Sequence, residues 1–172
     1  MPHKYQEGRL KFIFPDDFQV FRPGLSAYYI RRFQSFCGGC KEKDFATWDG
    51  PNRTMWLLEV KDYSTSSRNK TMDLIDEIAE KTRDTLAFLA GAAANANPDT
   101  VQTGEFARAC LPADRIRVVL HLELPAKPSK LHPPLKFGVD ATQSLRKKIR
   151  CIDPHALVIS TNVPANVPWK TK

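Results

Sequence analysis

The sequence has no long apolar run, and this lack argues against a protein that spans a membrane with apolar helices. No stretch approaches the roughly 20 consecutive apolar residues that a membrane-spanning helix needs. The most apolar segment, residues 85–96, is short and rich in alanine. The first residues carry no apolar core of a secretory leader. We therefore expect a cytoplasmic protein that has no membrane partner.

Cysteine is scarce, with Cys37, Cys40, Cys110 and Cys151 as the four examples. In a cytoplasmic chain these thiols are expected to be reduced. Cys37 and Cys40 have the spacing of half a zinc site, but no second CxxC or HxxxH accompanies them. The two glycines between them oppose the helix that a redox-active CxxC opens. The pattern favours a glycine-rich turn and leaves a zinc-stabilised interaction protein as an alternative.

Length and charge limit the organisation and the partners. The chain has 172 residues, 42% of them hydrophobic, which suits one compact domain over residues 1–172. We expect a core over about residues 25–160 and a proline-punctuated tail over 161–172. The 26 basic and 19 acidic residues give a net charge of +7. This balance favours a polyanionic partner, most often nucleic acid.

The apolar periodicities predict an α/β fold. Residues 9–22 read as a β-rich run broken at Pro15, and residues 44–62 read as two strands joined by a turn at 49–52. The remaining predicted elements, in order, are a helix from 69 to about 95, a loop or short helix over 98–113, a strand over 116–124, a helix near 139–150 and a last strand over 156–161. Strands joined through helices imply a mixed sheet with helices on its faces.

The strand "MWLLEVKDY", residues 55–63, carries two charges where a buried strand ends. Residues two apart in a strand share a face, so Glu59 and Lys61 project the same way. Before them the strand is apolar on both faces, which is typical of a central strand in an α/β sheet. Burying two charges costs several kcal/mol unless they are paired or bind something. The strand end is therefore a candidate site.

A second carboxylate precedes this strand along the chain. Asp44 opens the previous strand, and a hairpin turned at 49–52 would bring Asp44 towards Glu59. Asp49 is nearer in sequence, but it sits in "DGPN", where aspartate is a turn former. Carboxylates suit a hard divalent cation, and Mg²⁺ uses one or two of them. The sequence therefore predicts a cation site at Asp44 and Glu59.

Asp44, the hairpin and Glu59-Val60-Lys61 together resemble the PD-(D/E)XK phosphodiesterases, the restriction-endonuclease-like nucleases. The resemblance covers residues 44 to about 124, and it departs from the family pattern at Lys43, where a proline is frequent. It implies a restriction-endonuclease-like fold, with a mixed central sheet flanked by helices. It also implies that Asp44, Glu59 and the Val60 carbonyl bind Mg²⁺ or Mn²⁺. Lys61 would orient the attacking water or stabilise charge on the phosphate.

Basic residues outside the motif are candidates for phosphate contacts. Arg68 and Lys70 follow the motif strand directly. Arg146, Lys147 and Arg150 surround apolar residues in "SLRKKIR". For this second group, an amphipathic helix with a solvated basic face is an equal alternative.

Other acidic and titratable residues are expected to have structural roles rather than roles in the site. Asp73, Asp76 and Glu77 on the long helix are expected at its solvated surface rather than as ligands. His121 and Glu123 share a face of the next strand, where placement in the core or at its rim is favoured.

The sequence therefore predicts a metal-dependent nuclease acting on nucleic acid, with DNA ahead of RNA by analogy to the family. A lone nuclease core would call for a homodimer or a partner protein to choose its target. A non-catalytic nucleic-acid-binding or assembly subunit on the same fold is the main alternative.

Overall fold

The computed structural model describes residues 2–65, 73–94, 98–125, 134–163 and 165–172. The strands in these ranges are β1 (His3–Glu7), β2 (Leu10–Phe14), β3 (Phe18–Phe21), β4 (Phe45–Asp49), β5 (Thr54–Asp62), β6 (Arg115–Glu123), β7 (Leu157–Ile159) and β8 (Lys170–Thr171). The α-helices are α1 (Leu74–Ala94), α2 (Val101–Cys110) and α3 (Pro134–Lys148). Short 3-10 or π-helical turns cover Pro23–Leu25, Tyr29–Phe33, Phe36–Gly38 and Pro98–Thr100. Among the helices described, none is long and apolar enough to cross a bilayer.

The strands form two sheets, and the larger one is mixed. A three-stranded antiparallel sheet has the order β1-β2-β8. A five-stranded sheet has the order β3-β4-β5-β6-β7. In it β3 pairs antiparallel with β4, β4 pairs antiparallel with β5, and β6 pairs parallel with β7. The expectation of an α/β fold with a mixed sheet is confirmed.

Contacts divide the chain into two compact units. The first unit comprises Met1–Asp16, Glu59–Ala79 and Val118–Lys172. The second unit comprises Asp17–Leu58 and Glu80–Arg117.

The core of the first unit includes residues from both ends of the chain. Phe12 and Phe14 on β2 are fully buried, and the ring centroid of Trp169 lies 5.5 Å from that of Phe14. Trp169 is itself buried, and β8 directly after it pairs with β2. The last residues of the proline-punctuated tail therefore add a strand and a core side chain.

The core of the second unit is an aromatic cluster around Phe88 of α1. Phe88 is fully buried, and its ring centroid lies 5.3 Å from that of Tyr28 and 5.4 Å from that of Phe33.

The helix α2 approaches α1 closely at Gly104, where an added Cβ would lie 2.9 Å from the Ala92 carbonyl oxygen. A side chain at position 104 would therefore push the two helices apart.

The buried face of α1 differs from the one that the apolar periodicity predicts. The apolar residues that recur at spacings of three or four along the predicted helix include Ile78, Leu89 and Ala90. Ile78 and Leu89 are fully buried as predicted, whereas Ala90 is exposed, and Phe88, which is outside this set, is fully buried. Polar residues complete the buried face, namely Glu77, Thr82, Asp84 and Thr85. The helix was predicted from 69; it begins at Leu74, and residues 66–72 lie outside the described ranges.

The hairpin between β4 and β5 turns where the sequence predicts. The Asn52 backbone N–H donates to Asp49 Oδ1 at 3.2 Å, so Asp49 is the turn former. The register pairs Asp49 with Thr54 and Phe45 with Leu58. Because of this register, Phe45 and Leu58 lie opposite each other at the end of the hairpin away from the turn.

Candidate functional site

The end of β5 remains buried although its residues become charged. Met55, Leu57 and Leu58 are fully buried, as the apolar run predicts for a central strand. Glu59 follows them and is also fully buried. A buried carboxylate requires a partner, because an unpaired ion inside a protein costs several kcal/mol.

Lys61 is that partner, and it contacts a second carboxylate as well. In the first unit, Lys61 Nζ lies 2.7 Å from Glu59 Oε1 and 3.2 Å from Glu77 Oε1. The Lys61 side chain is 16% exposed, Glu59 is 0% exposed and Glu77 is 1% exposed. We call these three residues the acidic cluster. The sequence predicted that Glu59 and Lys61 lie on one face of the strand, and the expectation that Glu77 is solvated was wrong.

The start of α1 holds Glu77 in place. Asp73 precedes the helix, and its Oδ1 accepts a hydrogen bond from the Ile75 backbone N–H at 2.8 Å, as a capping aspartate does. Leu74 and Ile78 are buried on the same face as Glu77. The side chain of Asp76 is 47% exposed and pairs with Lys148. Solvation was thus the correct expectation for Asp73 and Asp76 but not for Glu77.

Asp44 lies in the second unit, at the residue directly before β4. It is half-buried, and it precedes Phe45, whose register partner Leu58 directly precedes Glu59. The segment before it is anchored to α1: the Lys41 backbone N–H donates to Asp84, and the Lys43 backbone N–H donates to Thr85 Oγ1 at 2.9 Å. These hydrogen bonds explain why Asp84 and Thr85, although polar, lie on the buried face of α1. The joint action of Asp44 and Glu59 stays a prediction.

The donor chemistry of the acidic cluster fits a hard divalent cation. Glu59 and Glu77 bring two carboxylates together, and Mg²⁺ is usually held by one or two carboxylates with water and substrate phosphates completing the shell. Within the described ranges, no group of three or more His, Cys, Asp or Glu side chains is arranged to hold a metal by protein ligands alone. The role predicted for the Val60 carbonyl, on β5, stays a prediction.

A second polar cluster lies at the end of β6 in the first unit. His121 Nε2 lies 2.7 Å from Glu123 Oε1, which also accepts hydrogen bonds from the backbone N–H and hydroxyl of Thr161. His121 is 1% exposed, and the Phe12 ring meets it edge-on at 5.4 Å. The preference for core placement of this histidine is confirmed.

This second cluster predicts a loss of stability in mild acid. Burial lowers the pKa of His121, and the neighbouring carboxylate only partly opposes it. Burial raises the pKa of Glu123, but hydrogen bonds from Thr161 and His121 outweigh it, so that pKa is lowered. With both pKa values lowered, the unfolded chain binds more protons than the folded protein, and stability falls as the pH drops below the unfolded histidine pKa of about 6.5.

The measurement is urea unfolding at about pH 7.5 and about pH 5.5. His121→Gln, which is neutral at both values, should show a smaller loss of unfolding free energy between them. An equal loss in the variant and the wild type would contradict this assignment.

The residues predicted to contact phosphate differ in their surroundings. On α3, Lys147 is exposed, whereas Arg146 is half-buried and its Nε donates to the Ala156 carbonyl oxygen at 2.8 Å. Arg150 lies just after the helix and is exposed. The amphipathic character of this segment is confirmed, because Leu145 and Ile149 are buried. Arg68 and Lys70 lie outside the described residues.

The cysteines have different environments. Cys37 and Cys151 are exposed, Cys40 is half-buried and Cys110 is buried. Burial raises the pKa of the Cys110 thiol to about 12, which makes it an inert core group. Cys37 to Gly39 all have positive φ angles, which agrees with the predicted glycine-rich turn. The zinc alternative gains no support from the described residues.

Comparison with known proteins gives one partial similarity. The chain is 28% identical, over 207 aligned residues, to the cysteine–tRNA ligase of Neisseria meningitidis serogroup A. The match covers 95% of this chain but 29% of that ligase, so the chain spans less than a third of the length of that relative. No protein-family profile matches the chain. No solved structure matches it.

Proposed function

We propose that this chain is a metal-dependent nuclease that hydrolyses phosphodiester bonds of nucleic acid, with DNA as the favoured substrate. One observation carries the proposal: a lysine sits between two buried carboxylates at the end of a buried strand. A stretch that served only as a strand would not need Glu59 and Lys61 at its largely buried end, because buried charges weaken a core more often than they stabilise it.

The order of the elements agrees with the proposed restriction-endonuclease-like fold. Asp44 precedes β4, Glu59 and Lys61 lie on β5, and β5 is followed by α1 and later by β6. The resemblance between residues 44 and 124 and the PD-(D/E)XK nucleases has the same order. We propose the fold on this ground together with the mixed sheet.

Each residue of the proposed site has a separate task. Glu59, together with Asp44 and the Val60 carbonyl, would hold Mg²⁺ or Mn²⁺. When bound, the cation would lower the pKa of a water molecule and shield the phosphate. Lys61 would place a fixed positive charge beside the phosphate, where negative charge grows as the bond to the attacking water forms. The exposed basic residues around Lys147 and Arg150 would contact the nucleic-acid backbone.

The partial match to a tRNA ligase bears on the class of substrate alone. That relative, by its name, acts on a nucleic acid, and the matched part is less than a third of it. We also propose a cytoplasmic location, as expected from the sequence. We also propose that a dimer or a partner protein supplies the target selection.

A cleavage assay tests the proposal. Circular single-stranded DNA, circular double-stranded DNA and RNA would be incubated with Mg²⁺, Mn²⁺ or EDTA. We expect cleavage that depends on the cation and that falls by about 10²- to 10³-fold in Glu59→Gln and in Lys61→Met. Asp44→Asn should behave like Glu59→Gln.

Asp76→Asn is the matched control, because it removes one carboxylate from α1 at a position that is half-exposed. It should cleave at the wild-type rate. Nucleic-acid binding that persists without any cleavage, and that is unchanged in the variants, would replace the nuclease by a non-catalytic binding subunit.

A further inference from the structure

Glu77 is as buried as Glu59, yet the proposed function gives it no task. Its Oε1 lies 3.2 Å from Lys61 Nζ, and Glu59 Oε1 makes a shorter contact of 2.7 Å with the same nitrogen. We propose that Glu77 is a positioning residue: it is the counter-ion that keeps Lys61 in place when Glu59 turns to a divalent cation. This inference rests on the proposed metal site at Glu59.

The net charge of the acidic cluster favours the binding of a second cation beside the Lys61 ammonium. Two carboxylates and one ammonium give the cluster a formal charge of −1 if all three are ionised. An ammonium carries several N–H donors, so Lys61 can bind both carboxylates at once, as the two distances show. A cluster with an excess carboxylate attracts a cation more strongly in a buried place than it would in water.

A metal ion and Lys61 compete for Glu59. Both are positively charged, and both seek the oxygens of the same carboxylate. If the cation takes Glu59, the repulsion between it and the ammonium favours movement of Lys61 towards Glu77. The lysine side chain can make this move by rotating its own bonds, because Glu77 is already within contact distance.

Without the Glu77 charge, Lys61 would lose this second position. Of the two carboxylates in the cluster, only Glu59 would remain for the ammonium. Lys61 would then oppose metal binding and, once displaced from Glu59, would lose its contact with the carboxylates of the cluster. The capped start of α1 is what keeps Glu77 available, since Asp73 and the buried Leu74 hold the first turn.

Ammonium NMR of the whole chain tests this directly, with Mg²⁺ alone as the probe. The Lys61 NH₃⁺ resonance, identified by its loss in Lys61→Met, should be visible because the group is ion-paired and 16% exposed. Adding Mg²⁺ should shift this resonance in the wild type without abolishing it. In Glu77→Gln the resonance should be present before Mg²⁺ and disappear after it. Asp76→Asn, also on α1, should behave like the wild type.

Mn²⁺ binding, followed by electron paramagnetic resonance, separates positioning from direct ligation. Glu77→Gln should weaken Mn²⁺ binding by about fivefold when Lys61 is present, and by less than about twofold in the Lys61→Met background. Equal weakening in both backgrounds would make Glu77 a metal ligand and overturn its positioning role.

The outcomes distinguish this inference from the proposed function. A Mg²⁺ response of the Lys61 resonance that is the same in the wild type and in Glu77→Gln would overturn the role of Glu77 and leave the metal site standing. If the wild type shows no Mg²⁺ response and no Mn²⁺ binding, the metal site itself fails, and both proposals are overturned.

Discussion

Replacing Lys61 with methionine should lower the free energy of unfolding by about 3 to 5 kcal/mol when the protein is kept in EDTA. The reason is the burial of its two partners, since Glu59 is 0% exposed and Glu77 is 1% exposed. Methionine fills similar space but leaves two neighbouring carboxylates without the cation between them. Breaking a buried pair by removing one partner is costly because the remaining charges cannot reach water. Urea unfolding measures the difference.

Lys148→Met is the matched control for this prediction. Lys148 pairs with Asp76 at 2.6 Å, but the two side chains are 53% and 47% exposed. The same substitution there should change the unfolding free energy by less than about 1 kcal/mol, because exposed ion pairs contribute little. Equal effects at the two lysines would show that the acidic cluster is not buried in solution.

Two further measurements relate this stability effect to the site. Lys61→Met combined with Glu77→Gln should recover a large part of the lost stability, because one of the two carboxylates that lose the ammonium is removed. Mg²⁺ should stabilise Lys61→Met more than the wild type, since the cation would no longer compete with the ammonium and ligand binding adds to folding free energy. A variant that Mg²⁺ does not stabilise would argue against a cation site at Glu59.

Replacing Phe88 with alanine should lower the free energy of unfolding by about 3 to 5 kcal/mol. Phe88 is fully buried in the second unit, where its ring contacts those of Phe21, Tyr28, Tyr29 and Phe33. The substitution removes the apolar surface at the centre of this cluster and leaves a cavity that the surrounding rings can fill only in part. Urea unfolding followed by far-UV circular dichroism gives the value.

Phe36→Ala is the control for the aromatic cluster. Phe36 is 56% exposed, and its ring centroid lies 5.8 Å from that of Phe33 at the edge of the cluster. Its loss should cost less than about 1 kcal/mol, because most of its surface is already in water. A small effect at Phe88 would mean that the rings do not pack as this core requires.

Much of the fold was predictable because its signals are local in the chain. The turn at residues 49–52 is encoded by Asp49 and its neighbours, which make the turn from their own side chains and backbone. The strand β6 alternates in its apolar pattern, and α3 has an apolar stripe with a basic face. The charged end of β5 was visible for the same reason: two ionic residues interrupt an apolar run two positions apart.

Glu77 could not be found in this way, because its role depends on a partner distant along the chain. On α1 the apolar pattern alone placed Ala90 inside, whereas the structure buries Glu77, Asp84 and Thr85 instead. Asp84 and Thr85 are buried because they accept hydrogen bonds from the backbone of Lys41 and Lys43. A polar residue looks solvated in sequence unless the group that satisfies it is known.

The terminal strands show the same limit. Pairing of β8 with β2 joins residues from opposite ends of the chain. A strand of two residues is too short for a local sequence pattern to predict this pairing. Local chemistry thus specifies turns, helices and strands, because their hydrogen bonds and periodicities involve near neighbours. Which polar groups are buried, and which charges meet, follows from contacts between distant segments, and these exist only once the chain is folded.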